Sequence, residues 1–171
     1  MSHSHLAHSY LNTINYETKI INLCDTFDMN YINIAGIRTF HDNCNGLKRG
    51  SNIIFLFKCD NFSICHLGDL GHIPSQSVLD RLKNIDILLV PIGGHFTLDG
   101  SDAYKLCSLI KPKLIIPMHY KTNTLKMNLD DCKKFLIHMP AIEKINSNIL
   151  NIDAINSNTS LNTILLKCPS V

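Results

Sequence analysis

Histidine is concentrated at the amino-terminal end of this chain, where the sequence reads MSHSHLAH and contains His3, His5 and His8. Neutral imidazole is the commonest protein ligand of zinc and similar ions, and a metal site needs three or four donors that converge on one point. Three closely spaced imidazoles therefore predict metal binding, and the remaining donors must come from downstream parts of the chain.

Three downstream candidates each follow an apolar, strand-like stretch. They are His41, Asp69 in the run HLGDLGH, and His119 in the run IIPMHY. Strand ends aim polar side chains at a common rim, which is where α/β folds place ligand chemistry. The pattern therefore predicts that these three side chains meet at one edge of a sheet.

The order of these motifs resembles that of the metallo-β-lactamase superfamily, whose pattern is H-x-H-x-D-H, a lone His, a lone Asp and a last His. The stretches GLKRGSN, HLGDLGH, VPIGGHFT and PMHY look more narrowly like the branch of ascorbate-phosphate-lactonase-like and uncharacterised metal-dependent hydrolases. The resemblance covers roughly residues 2–120, and several motifs in the correct order are far more specific than any one alone. It implies an α/β fold, a partial αββα sandwich that lacks its first strands because only two residues precede His3.

The resemblance also implies a ligand set. The matching positions supply two metal sites: His3, His5 and His41 for a first ion, and Asp69, His8 and His119 for a second, with Asp69 bridging the two. Ala7 stands where the family pattern has an aspartate, so the second ion loses one carboxylate ligand. Three protein donors can still bind zinc with water in the open position. We expect one or two Zn²⁺ ions, with Mn²⁺, Fe²⁺ or Ni²⁺ as alternatives.

Three further histidines are candidates for substrate binding. His66 and His72 flank Asp69, and each could contact substrate or orient a metal ligand, with a purely structural hydrogen bond as the alternative. His95 follows two glycines, which let the backbone approach a ligand closely, although it could equally be an incidental residue of a turn.

The activity implied by the resemblance is hydrolysis of an ester, lactone, amide or phosphoester of a small molecule by metal-activated water, with Asp69 and His119 as the catalytic residues. A hypothesis from another class is a degenerate, catalytically silent fragment that binds metal or a protein partner, and Ala7 favours it. A cysteine hydrolase based on Cys65 and His66 is disfavoured, because adjacent residues of a strand point to opposite faces.

Two simpler explanations of the amino-terminal histidines stay open. The run could be a chance accumulation, which the downstream series argues against. Alternatively, the α-amine and the backbone amides near His3 could form a square-planar copper or nickel site that involves no enzyme fold.

Composition indicates one folded domain over residues 1–171, since 45% of the residues are hydrophobic and the formal net charge is only +2. The chain has no basic cluster of the kind that binds nucleic acid and no apolar run of membrane-spanning length. Its seven cysteines lack C-x-x-C spacing, which favours a reducing, cytoplasmic location. A sheet without its first strands would expose an edge, so we expect self-association or poor solubility.

The coarse pattern is strands first, then alternating helices and strands. Residues 141–171 are rich in Asn, Ile and Ser and predict one or two edge strands or a loose tail. The predicted strands are residues 19–23, Ile32–Phe40, residues 52–57, Phe62–His66, residues 85–91, residues 114–117 and residues 163–167, and the predicted helices are residues 75–82, Gly100–Ile110 and residues 129–138. Asp60 and Asn61 form the predicted turn between two strands, and Ser75 and Asp99 are the predicted helix N-caps.

Overall fold

The first half of the fold is an antiparallel meander. The computed structural model describes residues 1–2, 14–15, 17–152 and 162–168. Its first four strands are β1 (Thr26–Met29), β2 (Ile32–Phe40), β3 (Ser51–Cys59) and β4 (Phe62–His66), each antiparallel to the next. Asp60 and Asn61 connect β3 to β4 with φ angles of 48° and 67°. Two consecutive positive φ values produce the tight turn whose twist matches a hairpin, and Asn and Asp tolerate this conformation better than most residues.

The second half alternates helices and strands. It contains α1 (Gln76–Arg81), β5 (Ile87–Pro91), α2 (Gly100–Ile110), β6 (Leu114–Met118), α3 (Lys133–Leu136), β7 (Ala141–Ile145) and β8 (Asn162–Leu166). In the described ranges, the strands form one sheet in the order β1-β2-β3-β4-β5-β6-β8-β7. The pairs from β4 to β7 are all parallel.

The central strands are apolar on both faces, which is typical of strands buried in the middle of an α/β fold. One face packs against the three helices: Leu88, Val90 and Ile115 belong to the same buried cluster as Leu106 and Phe135. The opposite face carries two smaller clusters, centred on Ile34, Ile53 and Phe55 and on Ile87, Leu114 and Ile164. The sheet is therefore the rigid layer from which the loops at its edges project.

Most predicted elements are confirmed. The bounds of β2, β4 and α2 agree with the prediction, and the remaining predicted elements other than residues 19–23 and 129–138 are found within a few residues. Asp99 caps α2, because its Oδ1 accepts a hydrogen bond from Asp102 N at 2.9 Å. Ser75 occupies the N-cap of α1, although its side chain forms no capping hydrogen bond.

Three secondary-structure predictions need correction. Residues 19–23 are not a strand, and the chain instead pairs β1 with β2 through the turn at Asn30. The predicted helix over residues 129–138 is reduced to α3, because Asp130 N donates to Gly93 O and Asp130 O accepts from Lys121 N, which ties this stretch to neighbouring loops. Of the two carboxy-terminal strands, β7 lies at the edge but β8 lies between β6 and β7.

No helix in the described part of the chain has the length and apolar character needed to span a bilayer. All seven cysteines are free thiols.

Candidate metal centre

Four strands bring candidate side chains to the same edge of the sheet. Because β2 and β4 are both antiparallel to β3, and β5 and β6 are parallel to β4, all four share one direction. The loops at their carboxyl ends carry His41, Asp69, His95 and His119. This is the edge at which open α/β sheets bind their ligands.

Two imidazoles converge on one carboxylate oxygen at this edge. His41 Nε2 lies 3.3 Å from Asp69 Oδ2, and His119 Nε2 lies 3.9 Å from the same oxygen. The three side chains are only 10–12% exposed. The structure therefore brings together three of the predicted ligands, which are far apart in the sequence.

These separations fit the chemistry of a metal site. Metal bonds of about 2.0–2.2 Å at tetrahedral angles place neighbouring ligand atoms roughly 3.3–3.6 Å apart. The two observed distances lie at and slightly above that range. In the residues that the structure describes, no group of three or more His, Cys, Asp or Glu side chains is placed to hold a metal ion by itself. A metal ion at this position would therefore need donors in addition to His41, Asp69 and His119.

The other predicted ligands, His3, His5 and His8, lie outside the described residues, as does Ala7. Ser2, which directly precedes His3, is described. Its carbonyl accepts a hydrogen bond from Ile53 N at 2.7 Å, and a Cβ added at Gly68 would lie 2.6 Å from Ser2 Cβ. The described part of the amino-terminal segment therefore passes beside the loop that carries Asp69.

A backbone carbonyl orients the His41 ring. His41 Nδ1 lies 2.9 Å from Phe96 O, so Nδ1 donates and Nε2 faces Asp69. Metal-binding histidines usually donate their second ring nitrogen in this way. Burial lowers the pKa of His41, but the hydrogen bond and the negative charge of Asp69 outweigh that effect, and the net pKa is raised.

Asn52 positions the backbone of Asp69, and sequence analysis missed it. This side chain is fully buried in β3. Its Oδ1 accepts from Asp69 N at 3.0 Å, and its Nδ2 donates to Leu67 O and to Thr39 Oγ1 at 2.9 Å each. A polar residue at the start of the apolar run NIIFLF was the available signal, because a buried amide is tolerated only when it is hydrogen-bonded.

Asp42 organises the loop that follows His41, and it was not among the residues singled out from the sequence. Four backbone N–H groups donate to its carboxylate at 2.8–3.0 Å: those of Cys44, Gly46, Lys48 and Arg49. Desolvation opposes ionisation, but the hydrogen bonds from Arg49, Cys44 and Gly46 outweigh it and hold the pKa of Asp42 far below its ordinary range. The carboxylate thus fixes the loop over residues 42–50.

Close backbone contacts at the site depend on two glycines. A Cβ at Gly71 would lie 2.6 Å from Asp42 N, and a Cβ at Gly93 would collide with the carbonyl oxygen of His119. His95 and His119 themselves adopt left-handed φ angles of 52° and 54°. Such angles are uncommon outside glycine and are found at sites where the surroundings enforce them.

The three predicted substrate-binding histidines have different environments. His66 Nδ1 accepts from Gly68 N at 3.0 Å, and burial is the main cause of its lowered pKa. Both ring nitrogens of His72 contact backbone groups: Nε2 lies 3.3 Å from Phe40 N, and Nδ1 lies 3.0 Å from Ile73 O. These are the structural hydrogen bonds that the sequence analysis gave as the alternative to substrate binding. His95 lies at the rim with its side chain 44% exposed and its Nε2 4.0 Å from Asp130 Oδ1.

Cys65 cannot act as an accessible nucleophile in this fold. It is fully buried among the helix-facing residues of the sheet, and burial raises the pKa of its thiol far above the ordinary value. A nucleophilic cysteine needs a lowered pKa and access to substrate. The structure therefore agrees with the expectation that disfavoured a cysteine hydrolase.

Comparison with known proteins agrees with this geometry. A family model described as "Beta-lactamase superfamily domain" matches residues 1–119. A UPF0173 metal-dependent hydrolase from Carboxydothermus hydrogenoformans is 47% identical over 68 residues, which cover 40% of this chain and 30% of the relative. Another from Thermococcus kodakarensis is 32% identical over 117 residues, which cover 63% and 52% of the two chains. This chain therefore matches about half or less of the length of these relatives.

A solved structure extends the similarity to most of the chain. It is that of a Thermotoga maritima protein classed as a Zn-dependent hydrolase of the metallo-β-lactamase superfamily. The match has a TM-score of 0.80 and 33% identity, and it covers 96% of this chain and 78% of the other. The shared fold therefore includes β7 and β8, which lie beyond the residues matched by the family model.

Proposed function

The chain belongs to the metallo-β-lactamase superfamily, and from this premise we propose that it is a metal-dependent hydrolase of small-molecule esters, lactones, amides or phosphoesters. One observation carries the proposal: His41 and His119, from different strands, direct their Nε2 atoms at the same oxygen of Asp69 in a buried position. Burying the Asp69 carboxylate is costly unless it is paired or bound to a metal, and a metal ion between these atoms would satisfy the carboxylate and both imidazoles.

We assign the metal-holding role to His41, Asp69 and His119 among the described residues, and to His3, His5 and His8 by the sequence pattern. Zinc suits this set of imidazole and carboxylate donors. When bound, such an ion acts as a Lewis acid that lowers the pKa of water and polarises a carbonyl or phosphoryl oxygen.

The protein groups would then fix the geometry of the reaction. Phe96 O holds the His41 ring through Nδ1, and Asn52 holds the backbone N–H of Asp69. Asp69 Oδ2 is the acceptor toward which both imidazoles converge, and we propose that it also orients the attacking water. His95, at the exposed rim, is the proposed contact to the substrate.

Metal analysis and hydrolysis assays test this function together. We expect the purified protein to retain zinc by elemental analysis and to hydrolyse bis(p-nitrophenyl) phosphate, a generic ester or a lactone. Asp69→Asn and His119→Ala should lose most of both the metal and the turnover. His138→Ala is the matched control, because His138 stacks on Tyr104 with ring centroids 5.0 Å apart and belongs to a different part of the fold.

The competing hypothesis of a silent metal-binding fragment predicts a different result. Metal retention without turnover on any of these substrates would support it, and Ala7→Asp should then raise neither metal occupancy nor turnover. If Ala7→Asp increases metal occupancy and turnover, the enzyme reading gains support. The proposed function would be refuted if the wild-type protein contained no metal and Asp69→Asn kept full activity.

A further inference from the structure

We propose that Arg49 forms a subsite for an anionic group of the substrate, a phosphoryl or carboxylate oxyanion, beside the proposed metal centre. This inference rests on the proposed function, since it names the substrate class of that site. It is carried by the contacts that connect the loop over residues 42–50 to the His41 ring.

The backbone of the two cationic residues is fixed. Lys48 N and Arg49 N both donate to Asp42 Oδ2, at 3.0 and 2.8 Å. Hydrogen bonds to an ionised carboxylate are about twice as strong as neutral ones. An exposed loop held this way presents its side chains from a defined position, which reduces the entropy lost when a ligand binds.

The guanidinium group of Arg49 lies over an aromatic ring that belongs to the site. Arg49 Cζ is 5.2 Å from the centroid of the Phe96 ring, and Phe96 O accepts from His41 Nδ1 at 2.9 Å. Asp42, Arg49, Phe96 and His41 thus form a closed series of contacts. Arg49 is therefore separated from a proposed metal ligand by one intervening residue.

The contact with Phe96 leaves the anion-binding edge of Arg49 available. The guanidinium has five N–H donors that match the oxygens of a phosphate or carboxylate, and a contact with one aromatic ring does not use them all. In the described ranges, neither Lys48 nor Arg49 forms a side-chain ion pair, and both are exposed. The nearest carboxylate of the loop, Asp42, is already engaged by four backbone donors.

An acidic residue of the rim is already paired with a lysine. Asp130, the acidic residue near the rim histidine His95, is bridged by Lys134 Nζ at 2.9 Å. The loop over residues 42–50 therefore offers the exposed Arg49 guanidinium beside the proposed metal centre, where an anionic substrate group would meet it.

Two substrates of opposite character test the subsite. The metal-loaded protein and Arg49→Gln are compared on bis(p-nitrophenyl) phosphate, which is anionic, and on p-nitrophenyl acetate, which is neutral. We expect Arg49→Gln to reduce kcat/KM for the phosphodiester about tenfold or more, mainly through KM, and to change the neutral ester by less than about twofold. Arg49→Lys should recover part of the loss, since it keeps the charge but not the planar fork.

A binding measurement separates this proposal from the proposed function. Inorganic phosphate and benzoate are titrated by calorimetry into the wild-type protein and into Arg49→Gln, so that phosphoryl and carboxylate recognition are distinguished. Arg49→Gln should weaken at least one of them about tenfold. Arg81→Gln is the matched control, because it removes the same charge from the exposed helix α1 and should leave affinity unchanged.

The outcomes are distinct. Loss of both substrates to the same extent in Arg49→Gln would mean that Arg49 acts only through Phe96 and His41, and the subsite would be refuted. Failure of the wild-type protein to bind either anion would also refute it. If the wild-type protein binds an anion through Arg49 but cleaves nothing, the subsite stands and the proposed hydrolase function falls.

Discussion

Replacement of Asn52 by leucine tests whether a buried amide holds the candidate metal centre together. Leucine has nearly the same shape as asparagine, so the substitution removes hydrogen bonds without opening a cavity. Three are lost, to Asp69 N, Leu67 O and Thr39 Oγ1. At about 1 kcal/mol for each, the free energy of unfolding should fall by about 3 kcal/mol. With a urea m-value of about 2 kcal/mol/M, the midpoint should drop by roughly 1.5 M.

The same substitution should weaken the metal centre. Asp69 would lose the acceptor that anchors its backbone N–H, and loss of a group that orients a metal ligand typically reduces metal affinity about 10–100-fold. Competition of the protein with a chromophoric zinc chelator measures this affinity. The reasoning would be refuted if Asn52→Leu bound zinc as tightly as the wild-type protein and unfolded at the same urea concentration.

Thr39→Val separates the loss of stability from the loss of zinc affinity. It removes both bonds of Thr39 Oγ1, the one accepted from Asn52 Nδ2 and the one donated to Asn52 O at 3.3 Å, but keeps the bond from Asp69 N to Asn52 Oδ1. We expect a loss of about 2 kcal/mol in stability and little change in zinc affinity. A large loss of affinity in this variant would show that general loosening of the sheet, rather than the anchor of Asp69, controls the site.

Three other substitutions probe the surrounding structure. Gly71→Ala should destabilise the fold by about 1–3 kcal/mol in urea titrations, because the new Cβ would lie 2.6 Å from Asp42 N; an unchanged midpoint would contradict this. Asp99→Ala should cost about 1 kcal/mol by removing the cap of α2, while metal content measured in parallel stays constant. Asp86→Asn should make the free energy of unfolding depend less steeply on pH in the acid range. Burial raises the pKa of Asp86, but the hydrogen bond and charge of Lys113 outweigh it, so the folded pKa lies below the ordinary 3.8. The stabilisation is therefore present above that value and is lost as the pH falls through the lower folded pKa, and unfolding titrations across this pH range should show a larger loss in the wild-type protein than in Asp86→Asn.

Local signals in the sequence were sufficient for much of the fold. The alternation of apolar residues in Ile32–Phe40, the turn at Asp60 and Asn61, and the cap at Asp99 all act within a few residues, so β2, β4 and α2 were predicted with their bounds. β1 was missed because its four residues are half-polar and exposed at the edge of the sheet, and only pairing with β2 makes them a strand.

The candidate site was predictable in part for a similar reason. Histidine and aspartate residues at strand ends carry a recognisable order, and His41, Asp69 and His119 do converge. The supporting groups, Asn52 and Asp42, act through backbone partners that are set by chain geometry rather than by residue type. Asp42 has no sequence pattern that distinguishes it from an ordinary turn residue, and the position of Asn52 at the start of an apolar run does not identify its partners.

The shared direction of β2, β4, β5 and β6 makes the donor cluster sensitive to strand alignment. A strand advances about 3.3 Å per residue, which equals the 3.3 Å that separates His41 Nε2 from Asp69 Oδ2. A slip of a single residue between neighbouring strands would therefore carry one donor out of reach of the others. Under the proposed function, the amount of zinc retained per mole of protein would measure the fraction of molecules whose strands are in the correct register. Zinc retention would then be a sensitive assay of correct folding.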